Sequence, residues 1–225
     1  MPPLPPTAMD RFSLMDWKSW AAQAIPRSEI VRGGAAVWPK EAKQLIGDTL
    51  GPIMHSHDLA TEIFFFVSGQ CRLEIGGTAE LFVPGDVVLI PPDVPHNLWN
   101  AGEEDLLVFW VVSPHFVSNK WRTQNFVEGA MQMRAVRARV QSGINLPSNG
   151  HINMRIVMPG EAAADCTTER SEAVIYTAAG SAAVKVRHLG GALAAHQFVH
   201  VSTHTPYAVT PSQDSLAVIF EMREA

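Results

Sequence analysis

Cysteine is scarce in this chain: two in 225 residues, Cys71 and Cys166, far apart and with no C-x-x-C pairing. That excludes a disulfide framework and a thiolate zinc site, and it makes a reducing compartment, the cytoplasm, the expected location. Basic clusters are missing too. Residues 1–120 carry 8 Lys+Arg against 14 Asp+Glu and residues 121–225 carry 9 against 8, so neither half has the cationic surface of a nucleic-acid binder. No uninterrupted apolar run reaches the roughly 18 residues of a spanning helix. The opening MPPLPPTAMDRF has prolines where a secretory signal needs a basic start and an apolar stretch. No membrane and no nucleic-acid partner are therefore expected. Tyrosine is the last scarcity: Tyr176 and Tyr207 are the only two, both in the second half.

What the chain has is apolar material, 47% of its residues, enough for one large domain or two small ones of about 100 residues each. Residues 1–27 read as a flexible arm followed by a short helix, with Phe12, Met15, Trp20 and Ala24 near helical spacing and Pro26 as its stop. From Ser28 the texture changes. EIFFFV, CRLEI, AELFV, DVVLI and LLVFWVV alternate with the turn-like SGQ, GGT, PGD, PPD and AGEED. Short strands punctuated in this way predict an antiparallel sandwich or barrel over 28–120. Residues 121–150 read as a connecting segment, after which strand texture resumes over 151–225. There TERSEAVIYTAAGSAAVKV parallels DLATEIFFFVSGQCRLEI, and HQFVHVSTHTPYAVT parallels GDVVLIPPDVPHNLW. A duplicated fold follows from this repetition.

Histidine carries the chemistry. On a strand alternate residues share a face, so Ile53, His55 and His57 can point together from GPIMHSH, and Glu62, Phe64 and Phe66 from EIFFFV. The PPDVPH turn can then aim His96 at the same interior. Neutral imidazoles with one carboxylate suit Fe(II), Mn, Ni, Cu or Zn, and such a set leaves a coordination position open for water, dioxygen or substrate. By the same alternation Leu73 and Leu98 join Ile53, Phe64 and Phe66 in an apolar pocket wall, with Trp99 or Trp110 expected at its mouth. His196, His200 and His204 recur every four residues, but QFVHVS reads as a strand, which would hold them about 13 Å apart.

At these residues the chain resembles the cupin superfamily. Its first motif, G-x5-H-x-H-x(3,4)-E-x6-G, is similar to GPIMHSHDLATEIFFFVSG, with His55, His57, Glu62 and Gly69 in place and Gly51 closer than the pattern asks. The second, G-x5-P-x-G-x2-H-x3-N, is similar to GDVVLIPPDVPHNLWN, with Gly85, Pro91, His96 and Asn100 matching and Asp93 where the inner glycine would be. The resemblance implies an all-β chain of two tandem double-stranded β-helix (jelly-roll) barrels. The first would hold one divalent transition metal through His55, His57, Glu62 and His96, with Fe(II) first among the candidates and Mn, Ni or Zn as alternatives. In the second half, Glu172 or Ala173 falls at the glutamate position, DCT or CTT at the histidine pair, and Tyr207 at His96. The resemblance therefore implies a bicupin with a degenerate second barrel.

The absence of tyrosine from the first half bears on the reaction. An apolar wall around the metal leaves Glu62 as the expected proton acceptor, which favours oxygen-dependent cleavage of a small aromatic or enol-type compound, as a likeness to quercetinase-like cupins also implies. The alternatives are a metal-dependent lyase or isomerase acting on a small acid or sugar acid, and a non-catalytic ligand-binding cupin. Outward apolar residues, Phe65, Val88 and Phe109, lead us to expect barrels packed together and a homodimer.

Overall fold

Alternating and doubly apolar runs bounded by Gly and Pro build only strands here; among the described residues there is no helix, and so none long and apolar enough to cross a membrane. The structure, a computed structural model, describes residues 10–12, 15–16, 32–38, 54–57, 60–75, 77–113, 119–122, 136–139, 152–168 and 171–223. Two short strands, β1 (Asp10–Phe12) and β2 (Met15–Asp16), come first. Then follow β3 (Arg32–Trp38), β4 (Met54–His57), β5 (Thr61–Ser68), β6 (Cys71–Ile75), β7 (Thr78–Phe82), β8 (Asp86–Ile90), β9 (His96–Asn100), β10 (Leu106–Ser113), β11 (Asn119–Arg122) and β12 (Val136–Arg139). One sheet of the first barrel runs β12, β8, β5, β10, β3, β2 and the other β11, β4, β9, β6, β7.

The second barrel repeats this plan. Its strands are β13 (Ile152–Val157), β14 (Ala163–Thr167), β15 (Ser171–Ala179), β16 (Ser181–Val186), β17 (Leu189–Ala194), β18 (Phe198–Val201), β19 (Pro206–Pro211) and β20 (Leu216–Arg223). They form sheets ordered β1, β18, β15, β20, β13 and β14, β19, β16, β17. Strands β18, β15, β20 and β13 thus stand where β8, β5, β10 and β3 stand in the first barrel. The tandem all-β jelly-roll architecture expected from the sequence is present.

Alternation along β5 explains why EIFFFV is apolar throughout. Phe64 and Phe66 face the interior of their own barrel, packed with Leu73, Phe82, Leu98 and Trp110. Ile63 and Phe65 face the other way, into a core shared with Tyr176, Phe198, Val218 and Phe220 of the second barrel. The two larger sheets therefore pack back to back. At the centre Phe109 stacks on Tyr176 at 4.1 Å between ring centroids and lies 5.2 Å from Phe220. Burial on this face pushes the Tyr176 phenol well above its ordinary range.

Several expectations are corrected. Asp10–Phe12 and Met15–Asp16 are strands, not parts of a helix; residues 1–9 and 17–27 lie outside the described residues. β1 pairs with β18 (Asp10 opposite His200) and β2 runs parallel to β3 (Met15 opposite Ala36), so two sheet edges with unpaired backbone groups capture the segment. The stretch read as a connector supplies β12, hydrogen-bonded to β8, and the second half of β11, hydrogen-bonded to β4. Val88, expected to face outward, sits directly opposite Phe64 and is buried in the first barrel's interior. Phe65 and Phe109 do face outward, but the second barrel covers them, so the apolar surface that suggested a homodimer is satisfied within one chain.

Glycine matters most at Gly69, whose φ of 76° opens the β5–β6 turn. A Cβ built there would lie 2.6 Å from the Asp105 carbonyl oxygen and 2.8 Å from the Leu106 Cα. Gly69→Ala is expected to destabilise the chain by at least about 2 kcal/mol, read from the denaturation midpoint at constant m-value, since strained backbone and steric conflict add. A loss under about 0.5 kcal/mol would show that the turn relaxes freely.

Candidate metal centre

β4 delivers His57, the start of β5 delivers Glu62, and the start of β9 delivers His96. All three are buried, and their ligand atoms lie within 4.8 Å of one another. Glu62 Oε2 is 2.9 Å from His57 Nε2 and 2.6 Å from His96 Nε2. His55 stands two residues before His57 on β4 and directly opposite His96 in the ladder, so the backbone register brings position 55 to the same place.

The donor chemistry calls for a cation. His96 Nδ1 lies 2.8 Å from the Val94 carbonyl oxygen, which can only accept, so Nδ1 carries the hydrogen. In the neutral ring Nε2 then presents a lone pair, and it faces a carboxylate oxygen that is also an acceptor. Two acceptors at 2.6 Å repel unless a proton or a metal ion supplies positive charge. Burial alone would raise the Glu62 carboxyl, but with protons on both Nε2 atoms the charge of His57 and the hydrogen bonds from the two rings outweigh it and hold the group well below the usual carboxylate range. Two imidazoles, one of them oriented by the Val94 carbonyl, together with one carboxylate fit a divalent transition ion.

Of the residues expected to line a pocket, Phe64 reaches the cluster, its ring 6.0 Å from that of His96 and edge-on to it at 71°. Phe66, Leu73 and Leu98 fill the barrel interior, with Phe66 packed on Phe82 at 5.0 Å. Ile53 lies outside the described residues. Trp99 does not join this wall: Leu98 takes the inward position, and the Trp99 ring lies outside with the Arg72 guanidinium carbon 5.2 Å from its centroid. Sequence reasoning missed Ile90 and Val112, which stand opposite Glu62 on its two neighbouring strands and are buried in the same interior. Alternation on DVVLI and LLVFWVV held that signal, but both strands are apolar on both faces.

The second barrel shows what the site becomes without its ligands. A constant spacing relates Gly69 to Gly180, Phe82 to Leu193 and His96 to Tyr207, and it is upheld by the ladder, in which Cys166 pairs with Tyr207 as His55 pairs with His96. Cys166, Thr168, Ala173 and Tyr207 therefore occupy the positions of His55, His57, Glu62 and His96. Tyr207 donates to Glu221 Oε1 at 2.5 Å, and burial followed by this bond pushes its phenol far above the ordinary range. Glu172 points to the other face, where its Oε2 lies 2.8 Å from His200 Nε2. His196 lies in a turn, 3.2 Å from the Tyr176 hydroxyl, so the spaced histidines do not converge.

Comparison with known proteins agrees with this architecture. Residues 46–112 match the family model of the cupin domain. The fold is similar to that of a salicylate 1,2-dioxygenase from Pseudaminobacter salicylatoxidans, with a TM-score of 0.68 and 12% identity over 99% of this chain and 86% of that one. It is also similar to the protein Ylba from E. coli (TM-score 0.59, 13% identity, 92% and 97%) and to a cupin 2 conserved barrel domain protein from Leptotrichia buccalis (0.57, 12%, 90% and 88%). A further structure of the dioxygenase contains gentisate adducts. A search of curated proteins finds no match. The match places a cupin domain over residues 46–112, and the tandem pair of barrels is a fold that the chain shares with these structures.

Proposed function

We propose that the chain is a mononuclear-metal cupin enzyme that cleaves a small aromatic or enol-type compound with dioxygen. The observation that carries this reading is the Glu62 carboxylate held between His57 Nε2 and His96 Nε2 beside the apolar core of the first barrel. His57, Glu62 and His96 would hold the ion, with His55 as the fourth ligand. Fe(II) heads the candidates, with Mn, Ni and Zn as alternatives. Such an ion supplies Lewis acidity and, for a redox-active metal, access to dioxygen.

The protein supplies the rest. Phe64, Ile90 and Val112 surround Glu62 with apolar surface, which disfavours water and suits a flat aromatic ligand. Among the described residues only the imidazoles bond Glu62, both at Oε2, which leaves Oε1 to accept a substrate hydroxyl proton. The likeness to a dioxygenase supports the fold on which this chemistry is built. The test is oxygen uptake by the metal-loaded chain over a panel of phenolic and diketone compounds, where oxygen consumption in step with substrate loss is expected. Equal turnover without oxygen would replace this reading with a lyase or isomerase.

A further inference from the structure

One turn touches two of the three clustered residues. Within Pro91–Pro95, Asp93 has φ of 60° and an exposed side chain. That conformation is free for glycine and strained for most other residues. The turn places the Asp93 N–H on the His57 carbonyl at 2.8 Å and the Val94 carbonyl on His96 Nδ1 at 2.8 Å. The end of β4 is thereby tied to the imidazole at the start of β9.

The second barrel keeps the backbone half of this device. His204, the counterpart of Asp93, has φ of 55° and an exposed side chain, and its N–H donates to the carbonyl of Thr168, the counterpart of His57. It lacks the side-chain half. The carbonyl of Thr205, which matches Val94, meets the Thr168 hydroxyl at 3.2 Å; that hydroxyl also donates to the Ser202 carbonyl at 2.7 Å and accepts from the Thr205 N–H at 3.0 Å. There the turn closes on itself, whereas in the first barrel it orients a ring toward its neighbours.

We propose that the Pro91–Pro95 turn is the positioning element of the metal centre, with Asp93 as the residue whose left-handed backbone keeps His57 and His96 in register. The inference rests on the metal-site reading, and the two barrels supply a matched control. A β-branched residue at this φ forces the turn to rearrange, and neither side chain packs in a core. The experiment is equilibrium Co(II) titration of the full chain, followed by the visible spectrum, with the thermal midpoint of each metal-free variant. Asp93→Val is expected to weaken Co(II) binding by roughly 10- to 100-fold and alter the spectrum, as loss of an outer partner of a ligand does. His204→Val is expected to lower the thermal midpoint and leave affinity unchanged. Asp93→Gly, which adopts the turn without strain, is expected to keep wild-type affinity. If Asp93→Val does not fold, Asp93→Ala takes its place in the comparison.

Wild-type affinity in Asp93→Val, or an equal loss in His204→Val, would overturn the proposal. So would a loss in Asp93→Gly as large as in Asp93→Val, since the carboxylate and not the turn would then be responsible. A wild-type chain that binds no Co(II) would overturn the metal reading itself, and this inference with it.

Discussion

Glu62→Gln is expected to retain most of its bound metal and lose turnover by roughly 10²- to 10⁴-fold, the range typical of a lost general base. Glutamine keeps the length and one oxygen donor of Glu62 but lacks its charge and basicity. The carboxylate is held ionised by His57 and His96 beside the apolar side chains of Phe64, Ile90 and Val112, so its proton affinity is set by this local arrangement. His57→Ala should fail differently, because it removes a nitrogen ligand and so lowers occupancy before any chemistry. Metal content and kcat measured on the same preparations separate the two cases. Equal metal loss in both variants would make Glu62 a ligand alone.

Phe109→Ala is expected to cost about 3–5 kcal/mol of stability, the range for a large aromatic removed from a packed core. Phe109 is fully buried in the layer between the barrels, stacked on Tyr176 and close to Phe198 and Phe220. Its ring faces away from the metal centre, since the adjacent Trp110 takes the inward position. Denaturant unfolding should therefore shift to a much lower midpoint while the folded variant keeps its metal stoichiometry. A loss below about 1 kcal/mol would mean that the barrels do not depend on this layer. A separate, earlier unfolding step for one barrel would show that the layer couples two units that can otherwise unfold independently.

Much of this molecule was legible before its structure. The strand texture predicted barrels because short runs between Gly and Pro have few other ways to bury their apolar faces. His57, Glu62 and His96 were legible because a period of two places them on interior faces. Val88 was misread for the same reason: DVVLI is apolar on both faces, so alternation alone cannot tell the barrel interior from the layer between barrels. Trp99 was misread because its bulk suggested a pocket, while the strand gives the inward place to Leu98. The segment holding β1 and β2 was beyond propensity arguments, since its strands form only by joining edges supplied from distant parts of the chain. Likewise the tie from the Asp93 amide to the His57 carbonyl is a backbone contact that no side-chain pattern records.

The most direct test of a single metal centre in the first barrel is elemental analysis of metal per chain. It should compare the wild type, a His57→Ala/His96→Ala double variant and a Cys166→Ala/Tyr207→Phe double variant, all loaded and desalted identically. The expected result is one ion per chain in the wild type and in the second-barrel variant, and none in the histidine variant. Two ions per chain, or an ion that survives loss of His57 and His96, would contradict it.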